Sequence, residues 1–311
     1  MAEFTHRSVL LEECLQGLNI RPEGVYIDGT LGRAGHAREV AARLTTGRLI
    51  GIDQDLAALE AAPRRFGEYL DKVTLVHDNF RNIPRILDSM GLAGVDGVLL
   101  DLGVSSPQLD DGSRGFSYMQ DAPLDMRMDQ TQSLTAAEVV NTYGEEELRL
   151  ILSRYGEERY SPRIASAICR RREQRPIETT LELVEVIRSA MPPQALREKQ
   201  HPAKRSFQAL RIAVNDELGA IADTMEAVID RLNPGGRLCV ISFHSLEDRI
   251  VKTAMAQAAR GCTCPPEFPV CVCGNQPKVR LSPRKPILPS KAELEENPRA
   301  RSAKLRVCER C

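Results

Sequence analysis

Four short apolar runs near the start of the chain, each closing on glycine or a polar residue, constrain its fold more than any other feature. They are "GVYIDGT" from Gly24, "GRLIGIDQD" from Gly47, "KVTLVHDNF" from Lys72 and "VDGVLLDLG" from Val95. Nearly continuous hydrophobicity over so few residues marks strands buried on both faces, as in a parallel sheet. Helical patterns fill the gaps: "GHAREVAARL", "LAALEAAPRRFGEYL" and "IPRILDSMGL". This alternation predicts a doubly wound α/β sheet with right-handed crossovers.

The alternation then stops. Between about Gly112 and Leu218 come "SLTAAEVVNTYGEEELRLILSRYG", "SPRIASAICRRREQ" and "TLELVEVIRSAM", all of helical period. The reading is an all-helical insertion at 112–218, a candidate substrate-recognition domain, dividing a core of 1–111 and 219–311. In "VIDRLNPGGRLCVISFH" a helix is expected to stop at Asn-Pro-Gly-Gly and a strand to follow. The tail segments "KVRLSPRKPILPS" and "RSAKLRVCER" offer two more short strands.

Composition sets bounds. With 311 residues, 42% of them hydrophobic, the chain can fill a sizeable core. No apolar run approaches the roughly 18 residues of a membrane span, and acids interrupt the N-terminal "MAEFTHRSVLLEECLQGL" where a signal peptide would be apolar. Of nine cysteines, four crowd into one stretch and the rest are scattered, which fits a reducing compartment. The expectation is a cytoplasmic protein with no membrane partner. The net charge of -1 hides an asymmetry. Arg159–Arg211 holds twelve Lys/Arg against five Glu, and Lys278–Cys311 ten against four. Two basic surfaces on an acidic protein suit a polyanion-binding enzyme, although solvated helix faces would give the same count.

Residues at the strand ends carry the chemistry. In "YIDGTLGRAGHA" a strand runs through glycines 29, 32 and 35 into a helix, a turn at which backbone approaches an anionic or polar ligand. Thr30 stands where a dinucleotide G-x-G-x-x-G would have its second glycine, which disfavours a nicotinamide dehydrogenase. "LIGIDQD" places Asp53 and Asp55 where acids accept hydrogen bonds from the hydroxyls of an adenosine ribose. Asp78 to Phe80 and Asp101 close two further strands beside the same crevice.

With "IDGTLGRAGH" as glycine loop, "GIDQD" as acidic ribose reader and "LLDLGVSSPQLD" as catalytic strand end, the chain resembles the S-adenosylmethionine-dependent methyltransferases, whose Rossmann-like sheet it should share. Ser105 to Gln108, "SSPQ", is similar to the serine version of the amino-methyltransferase motif, though Ser106 and Gln108 depart from its proline and aromatic positions. Phe116 and Tyr118 are candidates for the missing base-stacking face. An exocyclic cytosine amine is a poor nucleophile, so acceptors on its N–H groups should help: Asp101, or carbonyls presented by the Ser105-Ser106-Pro107 turn. A C5-cytosine route needs a cysteine nucleophile, and the nearest to this loop in sequence is Cys169.

Further blocks, among them "HRSVLLEECLQGL", "YGEERYSPRIASAI", "HPAKRSFQALRIAVN", "GGRLCVISFHSLEDRIVK" and "ENPRARSAKLRV", resemble the bacterial 16S ribosomal RNA (cytosine-N4)-methyltransferase family, RsmH or MraW, over nearly the whole chain. That resemblance implies methyl transfer from S-adenosylmethionine to N4 of a cytidine in the decoding region of 16S rRNA, with the assembled small ribosomal subunit as substrate. It carries cofactor contacts to Ala34, Gly35, His36, Asp53, Phe80, Asp101 and Gln108. Position 34 is alanine where the family more often has glycine, and the loop is expected to tolerate the methyl. Substrate contacts are expected from Arg127, Lys204, Arg205, Arg211 and Arg249, with His201, Glu247 and Asp248 in the same blocks. Asp125, Arg127 and Asp129 read equally as catalysis or as an ion-pair network, and His244 as a proton acceptor or as a strand-end residue bonded to backbone. Two other readings compete: a DNA amino-methyltransferase of the same fold, and a non-catalytic RNA-binding ribosome-assembly factor.

"GCTCPPEFPVCVCG" sets Cys262, Cys264, Cys271 and Cys273 in two C-x-C pairs. Four thiolates can close a structural zinc site, while a reduced surface loop or a redox-sensitive patch remain open. Cys308 and Cys311 form a further C-x-x-C that could contribute ligands.

Overall fold

The computed structural model describes residues 8–262, 264, 265 and 267–311. They fall into two compact units, one of residues up to Gly103 together with Leu218–Cys311, the other Val104–Glu217. The helical unit thus takes in the Ser-Ser-Pro turn.

The first unit is a seven-stranded sheet. Its elements run α1 (Leu11–Leu18), β1 (Val25–Asp28), α2 (Gly35–Ala42), β2 (Arg48–Asp53), α3 (Leu56–Phe66), β3 (Val73–His77), α4 (Ile83–Ser89) and β4 (Val95–Asp101). After the helical unit, numbered α5 to α11, come α12 (Glu217–Asp230), β5 (Leu232–Ser242), α13 (Ser245–Ala258), β6 (Val279–Leu281), α14 (Lys291–Glu296) and β7 (Lys304–Arg310). The order across the sheet is β3-β2-β1-β4-β5-β7-β6, parallel from β3 to β5 and antiparallel at β7 and β6. This is a Rossmann-like α/β sheet.

Alternate strand residues feed opposite cores, which explains why the sequence runs look apolar throughout. Tyr26, Leu49, Leu99 and Ile241 pack with α1, α2 and α3 on one face. Ile27, Ile50, Leu100 and Val240 pack with α4, α12 and α13 on the other. The sheet register sets Asp28 beside Gly51 and Leu99, Asp53 beside His77, and Asp101 beside Ile241, so the carboxyl ends of the parallel strands lie along one edge.

The expected stop at Asn-Pro-Gly-Gly is different in the structure. β5 begins at Leu232, and the four residues bulge out where its pairing jumps from Val95–Leu232 to Gly97–Arg237. Asn233 Nδ2 donates to Asp96 Oδ1 at 3.0 Å, holding the bulge to the start of β4.

The helical unit comprises α5 (Ser106–Asp110), α6 (Ala136–Thr142), α7 (Glu145–Gly156), α8 (Ser161–Gln174), α9 (Thr180–Ala190), α10 (Pro193–Leu196) and α11 (Lys204–Asn215). It has its own core, in which Leu148, Leu152, Ile164, Ile168, Leu183, Ile187 and Leu210 are fully buried. Thr179 and Glu182 cap α9 reciprocally, the T-x-x-E signature at work. Asn215, at the end of α11, accepts from Met128 N at 2.7 Å and donates to Met126 O at 2.8 Å, pinning the segment after α5 to the helices. No helix among the described residues is long and apolar enough to cross a membrane.

Candidate active site

The loop after β1 laces three strand ends together. Thr30 N donates to Asp28 Oδ1 (3.1 Å), Asp101 N donates to Thr30 Oγ1 (2.6 Å), and Gly32 N donates to Asp53 Oδ2 (2.7 Å). Thr30, which in sequence only marked a missing glycine, is therefore the link from the glycine loop to the end of β4. The loop enters α2 at Gly35, where Ser8 Oγ fills the space a Cβ would need. Ala34 caps that helix at φ 57° and ψ 25° while almost fully buried. This left-handed geometry costs an alanine about 1 kcal/mol and suits the glycine more usual at this position.

Burial sets the electrostatics. Asp28 is pushed up to about 7 by burial, against the hydrogen bond from Thr30 and with the Asp53 charge adding to the rise. Burial likewise raises Asp53 to about 6, although it accepts from Gly32 N and, at 2.8 Å, from Asp55 N. Asp101 rises furthest, to about 8, from burial and then from the charges of Asp28 and Glu247. Its side chain is 28% exposed, yet Oδ1 is sealed from solvent and has no hydrogen-bond partner among the described residues. His36 lies beneath: its Nε2 is 2.9 Å from Val9 O, and because a carbonyl only accepts, the ring proton sits on Nε2. The bare Nδ1 then faces Asp101 Oδ2 at 3.8 Å, a contact of neutral groups, since burial lowers His36 to about 4.

The structure brings Ala34, Gly35, His36, Asp53 and Asp101 to one end of the sheet. Phe80 is buried on the turn after β3, its Cβ 3.1 Å from where a Cβ on Gly29 would stand. Asp55 caps α3, its carboxylate accepting from Ala57 N at 3.1 Å. Asp78 is engaged similarly, accepting from Asn79 N, Asn82 Nδ2 and Arg85 Nη2 at 2.7 to 2.8 Å. His244 caps α13. Its Nδ1 accepts from Glu247 N at 3.5 Å, while its Nε2, 3.0 Å from Glu247 Oε1, is buried and makes no hydrogen bond among the described residues. Asp248 ties α13 to β7 through Arg306 (2.6 Å) and Lys304 (3.1 Å), and Arg249 is exposed on the same helix.

In the helical unit, Ser105, Ser106, Pro107 and Gln108 form the start of α5, where Ser105 N donates to the buried Gln108 Oε1 at 3.0 Å. The amide named from the family as a cofactor contact thus serves a capping box. Arg127 is clamped to Asp125 by two bonds of 2.9 and 2.7 Å and donates to Gln132 O at 2.7 Å, the geometry of an internal ion-pair network. Arg211 forms a fork with Glu217 at 2.7 and 2.8 Å. Lys204 and Arg205 open α11 and are exposed or partly so, with Arg205 Nη1 3.4 Å from Glu157 O. Phe116 is buried, whereas Tyr118 stacks on His201 at 4.5 Å between centroids with 15° between planes. Sequence reasoning did not single out Arg163 and Arg170, which lie on an exposed flank of α8 around a groove that Ser166 and Ser189 also line. Their spacing in "SPRIASAICR" put them two helical turns apart, a signal hidden by the arginine-rich run that follows.

A Rossmann-like sheet whose seventh strand runs antiparallel, with a glycine loop and carboxylates at its strand ends, defines a methyltransferase fold. The chain belongs to the MraW methylase family, whose model matches residues 3–311. It is 58% identical over 308 residues to the ribosomal RNA small subunit methyltransferase H of Brevibacillus brevis, covering 99% of this chain and 98% of that one. The protein of the same name from Heliobacterium modesticaldum is 55% identical, with 99% of each chain covered. A crystal structure of an rRNA methylase from Streptococcus thermophilus aligns over 98% of each chain with 10% identity and a TM-score of 0.44.

Proposed function

We propose that this protein transfers the methyl group of S-adenosylmethionine to the exocyclic N4 of a cytidine in the decoding region of 16S rRNA, acting in the cytoplasm on the assembled small ribosomal subunit. The observation that carries the reading is the whole-length identity of 52% to 58% with proteins named for small-subunit rRNA methylation. The strand-end carboxylates support it chemically.

The residues present fit the cofactor: the Asp101 Oδ1 is buried and lacks a hydrogen-bond partner among the described residues, and the adjoining loop is glycine-rich. When bound, S-adenosylmethionine supplies a methyl group on a positively charged sulfur. Asp53 accepts from the backbone N–H groups of Gly32, Gln54 and Asp55, and its remaining acceptor capacity would serve the ribose hydroxyls. Asp101 is mostly protonated near neutrality in the free protein, and a neighbouring positive charge favours its carboxylate. As carboxylate it would accept an N–H of the cytidine amine and so raise electron density on the nitrogen that takes the methyl group. The surplus proton leaves the nitrogen for Asp101, so the product keeps one N–H. Thr30 Oγ1 holds the backbone of Asp101 in place. Arg127 and Arg211 are engaged by Asp125 and Glu217, and the exposed Lys204 and Arg249, the partly exposed Arg205 and the arginines of the α8 groove are the cations assigned to phosphate by their exposure. This reaction has no step that calls for a metal ion.

The test is transfer from labelled S-adenosylmethionine to small subunits from cells lacking this activity, beside naked rRNA and DNA, with nucleosides identified by mass spectrometry. N4-methylcytidine from subunits alone is expected. Label confined to DNA would favour the DNA amino-methyltransferase reading, and no transfer at all would favour a binding protein.

A further inference from the structure

The described residues of the connection between α13 and β6 form almost no apolar interior. Phe268, Val270 and Val272 lie 50%, 70% and 73% exposed, so burial of side chains does not explain its course. What the connection does gather is sulfur. The Sγ atoms of Cys262, Cys264, Cys271 and Cys273 all lie within 4.8 Å of one another, and none is in a disulfide. Cys271 and Cys273 are 3.6 Å apart, and Cys273 and Cys262 are 3.8 Å apart.

These distances are informative. Sulfurs bound at about 2.3 Å to a tetrahedral zinc stand roughly 3.8 Å from each other, close to the separations seen. Two backbone amides also point at sulfur: Cys264 N donates to Cys262 Sγ at 3.4 Å and Val272 N to Cys264 Sγ at 3.3 Å. N–H donors directed at sulfur stabilise thiolate over thiol, the form a metal requires. A cluster of four thiolates with no cation would be self-repelling, and a dication relieves that repulsion.

The C-terminal C-x-x-C does not compete for the ion. Cys308 is fully buried in β7, within the core facing α12 and α13, and its register opposite Leu238 and Leu281 holds it in the sheet. Cys311 is exposed and stands outside the cluster.

We propose that Cys262, Cys264, Cys271 and Cys273 bind one zinc ion as a tetrathiolate, and that this ion folds the connection between α13 and β6 in place of a hydrophobic core. The site is structural: four protein ligands close the coordination sphere and leave no position for water or substrate. Its energetic role is that of a crosslink, drawing together two C-x-C pairs that chain entropy would otherwise separate.

The experiment uses the full chain, expressed with zinc and purified under reductant without chelator. Elemental analysis is expected to find about one zinc per chain, and a mercurial that captures thiolates should release it. Cys262→Ser and Cys271→Ser should each lose most of the metal, while Cys169→Ser and Cys311→Ser keep it. In case the first two variants misfold, the wild-type chain is stripped and reloaded with cobalt(II), which should give the visible absorption of a tetrahedral tetrathiolate. Stripping should also open the chain to limited proteolysis between Gly261 and Lys278, with zinc restoring protection. A zinc-free protein with four freely titrating thiols at the cluster, disulfide pairing of these cysteines under reductant, or zinc that survives both Cys→Ser changes would each overturn the proposal.

Discussion

Asp28, Asp53 and Asp101 stand at about 7, 6 and 8, so the ligand-free site near neutrality holds protons that free carboxylates would have lost. A positively charged ligand beside them favours the ionised forms, and the protons must then leave. Binding of S-adenosylmethionine at pH 7 is therefore expected to release a substantial fraction of a proton, whereas the uncharged thioether S-adenosylhomocysteine should release little. Calorimetry in buffers of different ionisation enthalpy measures this directly. Asp101→Asn should reduce the difference between the two ligands, and equal proton release by both would remove these carboxyls from contact with the sulfonium. Asp53 and Asp55 differ for a related reason. Both read as hydroxyl acceptors in sequence, but one ends a strand and the other caps a helix, a difference that the spacing alone does not show.

Among the elements, α8 carries the proposal for where RNA phosphates are met. Its exposed flank carries Arg163 and Arg170, and neither is in an ion pair among the described residues, unlike Arg159 with Glu198 or Arg211 with Glu217. Replacing both by glutamate should weaken rRNA binding at least tenfold at low salt. It should also lower the slope of log affinity against log salt by about 1.4 to 1.8, the release expected for two phosphate contacts. Affinity for S-adenosylmethionine should be unchanged, and an unaltered salt slope would place the RNA elsewhere. The strands were legible in sequence because burial on two faces leaves an unbroken apolar run. The β5 bulge was not, since Asn-Pro-Gly-Gly gives the same local signal for a stop as for an excursion, and only pairing to β4 separates them. The local geometry of His244 was hidden likewise: the spacing that sets a histidine ahead of a glutamate at a strand end serves catalysis or a capping box equally, and only the fold shows that Nδ1 takes the cap. The candidate site was legible as a set of strand ends, while which lone pairs remain for a ligand depends on neighbours distant in sequence.

For the whole molecule, these groups give stability a signed dependence on pH. Asp28 and Asp101 hold protons more tightly when folded, so their contribution is complete below about pH 4 and is lost as pH rises through 7 and 8. His36 acts in the opposite sense, its contribution present above about 6.5 and lost as pH falls through 4. Above 6.5 only the carboxyls remain, so the Tm of the ligand-free protein should fall between pH 6.5 and 8.5. S-adenosylmethionine should flatten that fall. A Tm that stays level or rises over this window in the absence of ligand would show that these acids ionise normally in the fold. The pairing of β4 with β5 across the helical unit bears on how the chain is made. A ribosome delivers β1 to β4 first, then every residue of the helical core, and only afterwards the strand that covers the open edge of β4. During synthesis the nascent half-sheet must therefore wait, with one edge bare, while the inserted unit is completed; a chaperone that shields exposed strand edges would find its substrate in that interval.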